Sequence, residues 1–287
     1  MTEPTSVADA TATSSDGEGP VRPWTVRLRV RGDDRAAILT REVLLVLGLT
    51  LGLAAINALI VIGARLTAPV PLNEQVTAMN TSPAPGRPLL ALIIKLKDIV
   101  FDFLVPALLA VFLLNRDRDW APATPRVGPR LGLDGARWRF DLATGVGLAA
   151  VIGVPGLALY LVARELGVNT TVAAANLSEW WAGPVLVLIA AGNGLLEEVV
   201  VVGYLITRLR QTGWGVAAAV TFSAVLRGTY HIYQGFGAFV GNAIMGVIFA
   251  VFFLRTRRLW PLILAHTLLD VVAFLGYTLL HDRVSWL

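Results

Sequence analysis

Residues Gly183–Ile206 read GPVLVLIAAGNGLLEEVVVVGYLI. As a helix rising ~1.5 Å per residue, this run is long enough to cross a hydrocarbon layer ~30 Å thick. It is also too uniformly apolar to lie on a water-facing surface. Within it stand two adjacent acids, Glu197 and Glu198. An ionised carboxylate at mid-bilayer depth costs at least ~2.5–3.5 kcal/mol, so two side by side mark a working site.

Working outward, further apolar stretches of spanning length fall at about 42–64, 89–114, 142–163, 214–232, 236–254 and 260–280. With 183–207 they predict seven transmembrane helices. The connectors APVPLN, SPAPGRP and RDRDWAPATPRVGPR carry turn and breaker residues. At 55% hydrophobic and 15% charged residues over 287, with a mean hydropathy of +0.67, the chain reads as an all-α, polytopic membrane helical bundle. Cysteine is absent, which excludes a disulfide framework, a thiolate zinc site and a cysteine nucleophile.

The basic residues orient this map. Lys and Arg outside the stretches number six, six, two and three in the N-tail and every second connector, against two, one, none and one in the others. That alternation is the positive-inside pattern and predicts a cytoplasmic N-terminus with the C-terminus outside. The arginines therefore read as topology signals, and no nucleic-acid partner is expected. Residues 1–36 are expected to be a disordered cytoplasmic tail, 37–182 to hold helices 1–3, 183–280 helices 4–7, and 281–287 a C-terminal tail. No signal-peptide pattern opens the chain, so the mature protein is expected to be full length. The Ala, Val, Gly and Arg load points to a GC-rich bacterial source and a place in the bacterial cell membrane.

Three short motifs carry the chemistry. Glu197-Glu198 is followed by VVVVGYLITRL; Arg227 and His231 sit four apart in SAVLRGTYHIYQGF; His266 and Asp270 sit four apart in AHTLLDVV. Fourfold spacing stacks each of the latter two pairs on one helix face. Asn193 and Asn242 could line a cavity between the helices, while Gly192, Gly194, Gly241 and Gly246 suit close helix packing. In the second stretch Lys95, Asp98 and Asp102 fall at i, i+3 and i+7, the spacing of an internal ion-pair network.

The Glu-Glu pair before Gly-Tyr-Leu, the later histidine and the final His-x-x-x-Asp resemble the CPBP family. That family groups type II CAAX prenyl proteases with bacteriocin-processing and Abi-type membrane proteins. The resemblance covers roughly 183–275, about the last third of the chain, and implies intramembrane proteolysis. It implies that Glu197 activates water with His231, while His266 and Asp270 stabilise the oxyanion. The chemistry agrees, since a buried carboxylate beside a second one can be tuned toward neutrality to serve as a base. A set of Glu197, His231 and His266 would alternatively hold Zn²⁺ with an open position for water. The sequence lacks HExxH, so nothing in it requires a metal or other cofactor. The implied partners are the lipid bilayer and a peptide or protein substrate.

Two positions depart from the family pattern. Val202 stands where EExxxRG would place arginine, and Arg227 stands where a phenylalanine is usual. Together they suggest that Arg227 supplies from the fifth stretch the guanidinium that the fourth lacks, pairing with Glu198. The missing arginine also suits a non-catalytic immunity or binding protein on the same scaffold. Intramembrane acids and histidines would serve a proton-coupled transporter as well. Counting ~1.5 Å per residue from the basic ends, Glu197 and Asp270 lie about 15 Å deep and His266 about 9 Å. On the same count His231 lies about 26 Å deep, out of line with its expected partners.

Overall fold

The computed structural model describes residues 32–116, 127–175, 177, 179–281 and 283. Nearly all of the expected N-terminal and C-terminal tails thus lies outside the described residues. Two helices, α1 (Gly32–Gly48) and α2 (Leu51–Leu66), occupy the first apolar stretch and meet at a 51° bend. The expected single helix over 42–64 is therefore broken in its middle. At the break the Thr50 hydroxyl turns back to the Val46 carbonyl at 2.6 Å. Gly52 packs against Leu47, whose carbonyl oxygen would lie 2.6 Å from a Cβ there. A hydroxyl diverted to the backbone beside a glycine is an ordinary cause of a helix kink.

Six more helices follow: α3 (Pro88–Asn115), α4 (Trp138–Glu165), α5 (Ala182–Gln211), α6 (Val216–His231), α7 (Phe236–Thr256) and α8 (Trp260–Leu280). Short strands β1 (Val76–Ala78) and β2 (Thr171–Ala173) pair in parallel, Val76 opposite Thr171. By length and composition five helices qualify as membrane spans, or six if the bent α1–α2 pair counts as one. The seven expected are reduced because α6, with 16 residues, reaches only ~24 Å. The chain is thus an all-α, multi-pass membrane protein.

In α3 the expected network along Lys95, Asp98 and Asp102 does not form. Lys97 instead pairs with its neighbour Asp98, and Asp102 stands exposed within a π-helical segment, Ile99–Leu104.

Helix α5 is the axis of the bundle. Within its apolar window 72% of residues are buried, against 17% for α3 and 6% for α4. Helix α6 packs on α7 and α2, and α8 packs on α4 and α5. The α5–α8 approach is close at Gly194, where a Cβ would lie 2.8 Å from Thr267 Oγ1 and 3.0 Å from the Ile263 carbonyl. A side chain at 194 would hold α8, with His266, away from the acids of α5.

Candidate active site

Glu197 ends the regular first part of α5, and Glu198 opens a π-helical segment, Glu198–Tyr204. The extra residue per turn rotates the remainder of the helix, so neighbouring acids address different partners; such segments recur at functional sites. Beyond the segment α5 resumes and ends in a turn over 212–215, where the amides of Gly213 and Trp214 return to the carbonyls of Arg210 and Leu209. The chain then reverses into α6. Three contacts register the hairpin: Ser223 Oγ donates to the Val201 carbonyl at 2.9 Å, Arg227 reaches Glu198, and Tyr230 reaches Glu197. Each step up α6 is a step back along α5.

This register removes the depth discrepancy. From Gln211 back to Glu197 is ~21 Å, and from Val216 to His231 is ~22 Å, so the two side chains are level. Hydropathy ends the fourth helix at 207 and begins the fifth at 214, whereas the structure ends α5 at Gln211 and starts α6 at Val216. His231 is the last residue of α6. The turn after it is tied down by Thr170, whose amide and hydroxyl both donate to the Gln234 carbonyl, at 2.9 and 3.0 Å.

Glu198 is fully buried. Its Oε1 accepts from Arg227 Nη2 at 2.7 Å and lies 2.8 Å from His266 Nδ1. Glu197 Oε2 accepts from the Tyr230 hydroxyl at 2.6 Å and lies 3.9 Å from Arg227 Nη1 and 3.7 Å from His231 Nε2. One guanidinium therefore serves both acids, and it stacks over the Phe249 ring at 5.5 Å. On α8, His266 Nε2 lies 3.9 Å from Asp270 Oδ1, and Asp270 Oδ2 accepts from Asn193 Nδ2 at 3.0 Å.

The structure thus gathers Glu197, Glu198, Arg227, His231, His266 and Asp270 into one polar cluster. Asn242 is bonded one turn back along its own helix, Nδ2 to the Ala238 carbonyl at 3.0 Å. By composition alone Tyr230 reads as part of an interfacial aromatic belt. Its spacing holds the better signal, because Ser223, Arg227, Tyr230 and His231 fall at i, i+4, i+7 and i+8, one face of a helix. Several atoms of the cluster are buried without a hydrogen-bond partner: Glu198 Oε2, Arg227 Nε and Nη1, and both ring nitrogens of His231. Unpaired buried polar atoms are costly; of these, Arg227 Nη1 and His231 Nε2 lie 3.9 and 3.7 Å from Glu197 Oε2.

Among the described residues no three His, Asp or Glu side chains are disposed around a common point. The His266 ring nitrogen nearest the acids is committed to Glu198, and the Arg227 cation already lies between the carboxylates.

With an acid pair, a level histidine and a second His–Asp pair in place, the comparison with known families is direct. Residues 179–272 match the type II CAAX prenyl endopeptidase Rce1-like family. This bears out the CPBP resemblance over the last third of the chain, and the match contains every cluster residue named above. No curated protein and no solved structure matches the chain.

Proposed function

We propose that this protein is an intramembrane endopeptidase that hydrolyses a peptide bond of a membrane-associated substrate, in the cell membrane of a bacterium. The observation that carries the reading is the 3.7 Å separation of Glu197 Oε2 and His231 Nε2 within a largely buried polar cluster. Two polar groups at that spacing are suited to share one water. Glu197 takes a proton from that water as its oxygen attacks the scissile carbonyl, while His231 orients the water. The Tyr230 hydroxyl fixes the acceptor oxygen of Glu197.

His266, as an imidazolium between Glu198 and Asp270, offers its Nε2–H to the developing oxyanion. Such a donor is worth ~3–4 kcal/mol in a water-poor site. Glu197 then returns its proton to the departing amine. No step passes through a metal. The non-catalytic reading rests on Val202, which is fully buried in the apolar core. With a guanidinium delivered to Glu198 from α6, that argument loses its force.

Full-length protein purified in detergent and incubated with a labelled peptide library is expected to turn over substrate. Glu197→Ala should lower the rate by about 10²–10⁴, the worth of a general base, while the variant still melts cooperatively, and Glu197→Gln should do the same with a smaller loss of stability. Equal turnover in wild type and Glu197→Ala defeats the proposal.

A further inference from the structure

At the arginine-rich end of the bundle, arginines fall into two kinds. Arg208 and Arg258 are buried and neutralised, Arg208 by Glu42 at 2.8 Å and Arg258 by Asp141 at 2.6 Å and Asp134 at 3.0 Å. Arg130, Arg210 and Arg257 have no carboxylate partner among the described residues. They instead converge on a groove of about 300 Å³, whose wall Thr207 and Gln211 complete. Three cations from separate elements around one concavity repel each other unless an anion joins them.

The backbone supports the same conclusion. Arg257 closes α7 in a left-handed conformation, φ +56°, which only one other described non-glycine residue, Asn80, shares in sign. A bulky residue held there signals a local constraint worth a functional explanation. The conformation is fixed by the Arg257 amide donating to the Phe253 carbonyl at 2.7 Å, and the guanidinium lies 5.7 Å from the Phe253 ring. Arg257 lines the groove, and guanidinium forks match phosphate oxygens two at a time.

Position selects the source of the anion. Arg210 lies in the last turn of α5 and Arg257 directly follows α7, so both stand where candidate spans end, while Arg130 closes a short helical turn, Val127–Arg130, in the connector before α4. The floor of the groove, Ile206 and Leu254, belongs to the apolar spans themselves. We infer that this groove binds a phosphate anion, supplied as the headgroup of an anionic membrane phospholipid whose chains continue along the apolar floor. Basic pockets between transmembrane helices are suited to such headgroups. The site lies apart from the polar cluster and does not depend on proteolysis.

Native mass spectrometry or lipid titration of the full-length protein in neutral detergent tests this. Phosphatidylglycerol is expected to bind more tightly than phosphatidylcholine. Arg130→Gln, Arg210→Gln and Arg257→Gln should each weaken it about fivefold, and the triple variant should lose the preference. Should the triple variant fail to fold, the single variants and a triple Arg→Lys variant, judged against their lipid-free melting temperatures, decide the matter. A preference that survives removal of the arginines overturns the inference, as does the lack of any preference in wild type. Inorganic phosphate competing as tightly as phosphatidylglycerol would overturn the lipid assignment.

Discussion

Of the arginines that lie deep in this molecule against carboxylates, Arg258 and Arg227 are served very differently. Arg258, at the α7–α8 junction, donates from Nε and Nη2 to both oxygens of Asp141 at 2.6 and 2.7 Å, and from Nη2 again to Asp134. Arg227, beside the acid pair, makes one hydrogen bond, to Glu198, and leaves Nε and Nη1 buried without hydrogen-bond partners, Nη1 lying 3.9 Å from Glu197 Oε2. Near it Glu198 Oε2 and both nitrogens of His231 are also unsatisfied. A two-pronged pair saturates its charge and holds two segments together. A buried cation with unpaired donors carries a cost that the saturated pair does not. Burial of charge alone therefore does not make the two sites alike.

The sharpest break of this contrast is Arg227→Phe, which would leave Glu198 buried with only His266 beside it. Removing one partner of a buried pair costs about 3–5 kcal/mol. A large drop in melting temperature and loss of peptide turnover are therefore expected. Adding Val202→Arg, one turn beyond Glu198 on α5, should recover a measurable part of both. A double variant no better than Arg227→Phe would show that the guanidinium must come from α6.

This pairing was legible before any coordinates, because an acid pair lacking its usual arginine implied a substitute on a neighbouring helix. Other contacts were not. Asn193 to Asp270 joins α5 to α8 through a polar residue that nothing in sequence ties to that partner. The bend at Thr50 interrupts an apolar run with no proline to announce it, so hydropathy reads straight through. Hydropathy also treats α4 and α5 almost alike, although 6% of one window is buried and 72% of the other. Lipid and protein interior are equally apolar, so a lipid-facing jacket and a central axis score the same. What betrayed α5 was its pair of adjacent acids, not its hydrophobic majority.

A smaller test bears on how Glu197 is held. Tyr230→Phe deletes the 2.6 Å hydrogen bond to Glu197 Oε2 while keeping the ring and its tilted contact with His231 at 4.9 Å. Losing a hydrogen bond to a charged group is worth ~1.5–3 kcal/mol. The expected result is a fall in kcat of roughly tenfold or more with little change in KM, because the substrate is not touched. A change confined to KM would move Tyr230 from positioning the base to binding substrate.

The smallest effect sharpens the other side of the comparison. The carboxyl of Asp134 is held below the usual carboxylate range, first by the Ala136 amide donating to it at 3.1 Å and then by Arg258. A carboxyl that ionises more readily when folded stabilises the fold wherever it is charged. That contribution is complete above the unfolded value of ~3.9. It disappears as the pH falls through the lower folded value. Asp134 is partly open to solvent, so its loss should trim the melting temperature only slightly. Asp134→Asn should therefore melt slightly below wild type at neutral pH, with the gap closing in acid, while turnover at neutral pH stays as in wild type. A gap that persists unchanged in acid would mean that Asp134→Asn destabilises the loop through something other than the lost charge.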